Sequence, residues 1–307
     1  MVLGLTYGLF FTHMPFVKMS GMAVTSFRTF PGMLFSRISK MLNMQSSMRR
    51  YIIQSHAMRD LDALLSDGIP VGCVVGMYYL PYMPFEYRFH FNGHNICIVG
   101  KDEQSNEYIV SDPMLNAKVR LLPRDLQKVR FAKGGTYPLL GQMYWINKVP
   151  DSLPDMPMLV RKAIHKNCWW MTSQPQCVTF AGVNGIELLS RRITKWEDEF
   201  GPRRAALNLA QVIRMLEEIG TGGAGFRFMY AAFLQEAAQM TGVNTLNEFS
   251  ERMTQIGDMW RDFAYRSARM FKKRSSGEQY TYSDLSCLLH EIAQNERQFF
   301  TELNKVV

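Results

Sequence analysis

At 307 residues, 47% of them hydrophobic and 20% charged, the chain is long enough for two domains and too apolar to be disordered. Thirty-five Lys and Arg against 27 Asp and Glu leave a formal net charge of +8, which favours an acidic partner or an anionic ligand. The basic residues stand in short groups, Arg191-Arg192, Arg203-Arg204 and Lys272-Lys273-Arg274, with no nucleic-acid-reading motif beside them, so no nucleic-acid partner is expected.

The apolar opening "MVLGLTYGLFF" has no basic residues ahead of it and runs into His13, Pro15 and Lys18 without a small-residue cleavage site, unlike a signal peptide. No stretch offers the roughly eighteen uninterrupted apolar residues of a membrane span. Cysteines 73, 97, 168, 177 and 287 form no C-x-x-C pair and no zinc spacing with histidine, as expected of free thiols in a reducing compartment. The expectations are a cytoplasmic protein with no membrane partner, no metal and no cofactor.

From about Phe30 to Leu65 the pattern reads as helical, through "GMLFSRISKMLNM" and "IIQSHAMRDLDALLSDG", and it closes on Gly68 and Pro70. The runs "VGCVVGMYYLPY", "YRFHF", "HNICIVG", "EYIVSDP", "AKVRLL" and "QMYWINKV" are then short and β-rich, separated by Gly, Pro, Asn and Asp, as in a mostly antiparallel sheet. One helix, "PRDLQKVRFAK", interrupts them, with Pro123 in its first turn.

Beyond the linker "DSLPDMP" the chain reads as helix after helix, which divides it into an α+β domain over 1–150 and a helical domain over 151–307. The 22 methionines are scattered and read as adaptable core filler, and no internal repeat is present.

Chemistry concentrates in "RFHFNGHNICIVGKDEQSNEYIVSDP". Asn92-Gly93 is a two-residue hairpin signal that puts His94 at the start of the strand carrying Ile96 and Ile98. The next β-run ends at Asp112, because Pro113 cannot continue the ladder. If the two strands are neighbours, imidazole and carboxylate meet as a general base and its orienting acid. The competing reading makes His94 a half-buried strand residue and Asp112 a turn former. A zinc site from His90 and His94 is weaker, since the turn separates them and no third ligand is evident.

In the helical part, Gly220, Gly222 and Gly225 satisfy G-x-G-x-x-G, yet the preceding Leu209, Val212, Ile213, Leu216 and Ile219 recur at helical steps. A dinucleotide fingerprint needs a strand there. Gly220 is therefore read as a helix stop and Gly225 as the entry to a second helix. Two readings of the corner stay open. Gly222, Gly223, Gly225 and Arg227 hold an anionic donor at a helix N-terminus, or the glycines serve a close helix crossing and Arg227 pairs with Glu217 or Glu218. Trp169, Trp170 and Trp260 are read as core or interface anchors.

The runs "GIPVGCVVGMYYLPY", "FHFNGHNICIVGKD" and "YIVSDP" resemble the butirosin biosynthesis protein H N-terminal family, which is similar in fold to papain-like and bacteriocin-leader cysteine peptidases. "EEIGTGGAGFRFMYAAFLQEAA" resembles the helical domain of unknown function that commonly follows it. The resemblance implies an amide-forming acyltransferase that moves an acyl group from an acidic acyl carrier protein thioester to a small-molecule amine, through a cysteine assisted by His94 and Asp112. The family's nucleophile lies ahead of the part that resembles "MVLGLTYGLFF", so the expectation is either a fragment of a complete enzyme, truncated at its N-terminus, or a variant without covalent chemistry. Cys73 sits in a predicted buried strand and Cys97 points away from His94, so neither is expected to replace that nucleophile. A non-catalytic binding or assembly protein and a cysteine peptidase or amidase are the alternatives.

Overall fold

The computed structural model describes residues 2–6, 8–19, 22–29, 31–88, 91–133, 138–173, 175, 177–218, 221–272 and 279–307. It is an α+β protein in two compact units, residues 39–152 and residues 1–38 with 153–307.

The elements begin, in chain order, with α1 (Val2–Leu5) and the hairpin β1 (Leu9–Met19) and β2 (Met22–Arg28), followed by α2 (Pro31–Met41). The sheet unit then carries β3 (Gln45–Arg49), α3 (Gln54–Ser66), β4 (Val71–Gly76), β5 (Asn92–Asp102), β6 (Glu107–Ser111), β7 (Val119–Leu121), α4 (Pro123–Arg130) and β8 (Met143–Lys148). Helices follow: α5 (Met156–Thr172), α6 (Gly182–Ile193), α7 (Trp196–Phe200), α8 (Pro202–Glu217), α9 (Arg227–Thr241), α10 (Leu246–Phe271) and α11 (Tyr282–Val306).

The six strands of the sheet unit are antiparallel throughout, in the order β3-β8-β4-β5-β6-β7. Alternation decides which face is buried. Cys73 and Val75 on β4 stand opposite Ile96 and His94 on β5, and this face packs on Leu61 of α3 and on Leu126 and Val129 of α4. Arg130, at the end of α4, is fully buried and donates to the carbonyls of Ala57 and Gly141, each at 3.0 Å, which ties α4 to α3 and to the approach to β8.

The structure departs from two local expectations. Asn92-Gly93 does not turn a hairpin, because Asn92 already opens β5 opposite Gly76 and its side chain donates to the Ala132 carbonyl. The turn that reverses the chain is 103–106, where Asp102 accepts from the N–H groups of Gln104 and Ser105 and Asn106 takes a φ of 53°. The helical reading of 30–65 misses β3, a polar edge strand paired with β8, almost a hundred residues on.

The unit boundary near 152 lies close to the sequence division at 150, whereas residues 1–38 group with the helices instead of the sheet. Their hairpin buries Leu9, Phe11, His13 and Phe27. Phe11 and Phe27 lie 5.2 Å apart, and Phe27 lies 5.2 Å from Trp260 of α10. Asn167 of α5 donates to the Leu9 carbonyl at 2.7 Å, so the hairpin is part of the helical core.

Candidate functional site

The register of β5 and β6 sets Cys97 opposite Ser111, so one further step brings Asp112 level with Ile96 on the face that His94 shares. The diagonal offset to His94 is within side-chain reach. His94 Nε2 and Asp112 Oδ2 lie 2.7 Å apart, with the imidazole 10% exposed and the carboxylate fully buried. His94 is the third residue of β5, two places later than the hairpin reading had it.

Asp112 is a turn former as well as a partner of the histidine. Its Oδ1 accepts the Met114 N–H at 2.9 Å while Oδ2 serves His94, so one carboxylate fills both roles that the sequence left open. Oδ2 also accepts the Tyr82 hydroxyl at 2.9 Å, a contact that sequence reasoning missed. Tyr82 lies within the quoted run "YYLPY", but that stretch has no periodicity that would aim its ring at β6.

Burial pushes the Asp112 carboxyl up, and the hydrogen bonds from His94, the Met114 N–H and Tyr82 outweigh it, holding the group below the usual carboxylate range. An ionised carboxylate only accepts, so whenever the imidazole is neutral Nε2 is the nitrogen that carries the hydrogen and Nδ1 the one with the lone pair. Nδ1 makes no hydrogen bond among the described residues. The pair thus has the form of a base with its orienting acid.

Neither thiol of the sheet unit serves it. Cys73 is wholly buried, and that burial raises its thiol; burial also raises Cys97, which sits on the opposite face of β5 from His94. His90 lies outside the described residues, and among the described residues no three His, Cys, Asp or Glu side chains could hold a metal ion.

The glycine corner lies in the helical unit. Gly220 lies outside the described residues. Gly222, Gly223, Ala224, Gly225 and Phe226 all have positive φ, so Gly225 belongs to a left-handed turn and α9 begins only at Arg227. Two N–H groups of the candidate anion site are engaged internally. The Gly223 N–H goes to Thr221 Oγ1 and the Ala224 N–H to Glu217 Oε1.

Arg227 is fully buried and paired with Glu296 of α11, not with Glu217 or Glu218. Its guanidinium donates from Nε to Oε1 at 2.9 Å, from one terminal nitrogen to Oε2 at 3.0 Å, and from the other to the Gly225 carbonyl at 2.8 Å. Trp260 Nε1 adds a fourth bond, to Glu296 Oε1 at 2.7 Å, which makes this tryptophan a core anchor. Trp169, in contrast, is 43% exposed, with Lys166 over its ring.

A Cβ at Gly225 would overlap the Phe27 ring and would sit on a left-handed backbone. Gly225→Ala is therefore expected to cost about 2–4 kcal/mol in urea unfolding, from overpacking and αL strain together.

The comparisons with known proteins agree with the resemblance read from the sequence. A family model described as Butirosin biosynthesis protein H, N-terminal, matches residues 1–113, and one described as a domain of unknown function (DUF4872) matches residues 124–303. These limits cut across the two compact units, whose boundaries fall at 38 and 152. No curated protein matches the chain.

Proposed function

The chain belongs to the family defined by the domain of unknown function DUF4872, here preceded by a butirosin biosynthesis protein H N-terminal segment, and on that premise we propose that it is an acyltransferase-like protein of a biosynthetic pathway. It moves an acyl group from an acyl carrier protein thioester to an amine of a small product, on a papain-like sheet unit. The observation that carries this reading is the buried His94–Asp112 pair, with Nε2 held by the carboxylate and Nδ1 left as the base.

His94 accepts the proton of the attacking thiol and later returns one to a leaving group. Asp112 holds the tautomer and stabilises the imidazolium. The thiol is neither Cys73 nor Cys97. A carrier protein is usually acidic, and the net +8 of this chain supports such a donor.

The test is a transfer assay on the protein produced from its gene with the DNA upstream of Met1 included. It is mixed with an acyl carrier thioester and amine in one arm and with peptide in the other, and mass spectrometry follows which donor is consumed. Thioester consumption with amide formation is the expected result. Consumption of peptide alone would replace it with a peptidase or amidase.

A second reading, a binding or assembly protein that retains the fold, is favoured by one observation: neither described thiol of the sheet unit is available to His94. Binding of the carrier with neither donor consumed would establish it.

A further inference from the structure

Asp112 Oδ2 carries two donors, and the second of them is unexplained by a histidine–carboxylate pair alone. A carboxylate rotates easily about its terminal torsion, so a single bond from an imidazole does not fix its direction. Here the group is clamped at both oxygens, Oδ1 by the Met114 N–H and Oδ2 by the Tyr82 hydroxyl, before the histidine is counted.

The loop that brings Tyr82 is itself fastened. The Leu80 N–H donates to the Met77 carbonyl and the Met83 N–H to that of Leu80, which folds the stretch after β4 into consecutive turns. Arg88 then reaches back, donating from Nε to the Met83 carbonyl at 2.9 Å and from a terminal nitrogen to the Pro81 carbonyl at 2.7 Å. The carbonyls on either side of Tyr82 are thus gripped by one guanidinium, and the ring between them has its direction set from outside the His94–Asp112 pair.

We propose that Tyr82 is a positioning residue for His94 that acts through Asp112, fixing the carboxylate so that Nε2 is the nitrogen bound and Nδ1 the nitrogen presented. This rests on the reading of His94 as the base.

The phenol suits the task, because burial and the adjacent Asp112 charge push it well above the ordinary tyrosine range, so that it remains a donor. Among the described residues, His94 and Tyr82 are the titratable side chains that bond the carboxylate, and the Arg88 guanidinium is engaged with main-chain carbonyls.

The experiment is nuclear magnetic resonance of the full chain with 15N-labelled histidine and no donor present, with the His94 signals assigned by comparison with His94→Gln. In the wild type, His94 is expected in the Nε2–H tautomer with a slowly exchanging ring proton. In Tyr82→Phe, solvent exchange of that proton is expected to quicken about tenfold or more, the size associated with loss of a hydrogen bond to a charged group, and Nδ1–H tautomer should become detectable. The signals of the other five histidines should not move.

An unchanged His94 spectrum in Tyr82→Phe would overturn the proposal. If that variant does not fold, the wild type decides: a slowly exchanging Tyr82 hydroxyl proton close to the His94 ring proton supports the role, and its absence refutes it. Because the spectra are recorded without donor, a failed transfer assay would remove the proposed function and leave this result standing.

Discussion

Replacing Glu296 with alanine is expected to lower the stability of the helical unit by about 3–5 kcal/mol, the range for breaking a buried ion pair from one side. The reason is what is left behind. Arg227 has no solvent exposure, so its guanidinium would remain charged in the core with, among the described residues, the Gly225 carbonyl as its remaining hydrogen-bond partner, beneath the rings of Phe27 and Trp260. The Trp260 indole N–H would lose its acceptor as well. Urea unfolding followed by tryptophan fluorescence reads the change.

A companion measurement separates the pair from its surroundings. Arg227→Met combined with Glu296→Leu should cost much less than the two single changes added together, since no charge remains buried. A loss under about 1 kcal/mol for Glu296→Ala would mean that the carboxylate does not carry the junction of α9, α10 and α11.

His94→Gln is expected to reduce the rate of acyl transfer by about 10²–10⁴, the usual contribution of a positioned general base, while donor binding stays close to wild type. Asp112→Asn should act in the same direction, because an amide cannot stabilise the imidazolium and can donate where the carboxylate accepts. Transfer rates and carrier binding measured side by side give the answer, and transfer undiminished in His94→Gln would end its role as base.

The same carboxylate gives a pH signature. The native Asp112 carboxyl lies below its ordinary value, so its contribution to stability is complete well above about pH 4 and is lost as pH falls through the lowered native value. The stability gap between wild type and Asp112→Asn should therefore narrow on acidification below about pH 4.

Much of the element order was legible because it is local. The three- and four-residue apolar steps of α8, the Pro123 start of α4 and the alternation of Val71, Cys73 and Val75 are each written within a dozen residues. The Asp112-Pro113 stop was legible too, and with it the candidate pair, because a strand that must end before proline leaves its last carboxylate at the sheet edge. β3 escaped because "QSSMR" carries no apolar alternation of its own, and the Asn92-Gly93 signal misled because tertiary bonds to Gly76 and Ala132 outweigh a turn preference.

The sequence by itself determined the α+β class, the helical second half and the family, and it singled out His94 and Asp112 as a pair that the structure brings into contact. Only the tertiary structure decided the rest. It grouped residues 1–38 with the helices, gave Arg227 a partner 69 positions away in place of an anionic ligand, and set Tyr82 on Asp112. The physical reason is range. Periodicity and turn chemistry act between neighbours in the chain, whereas the partner of a buried charge or hydroxyl is whichever group the packed core brings within about 3 Å.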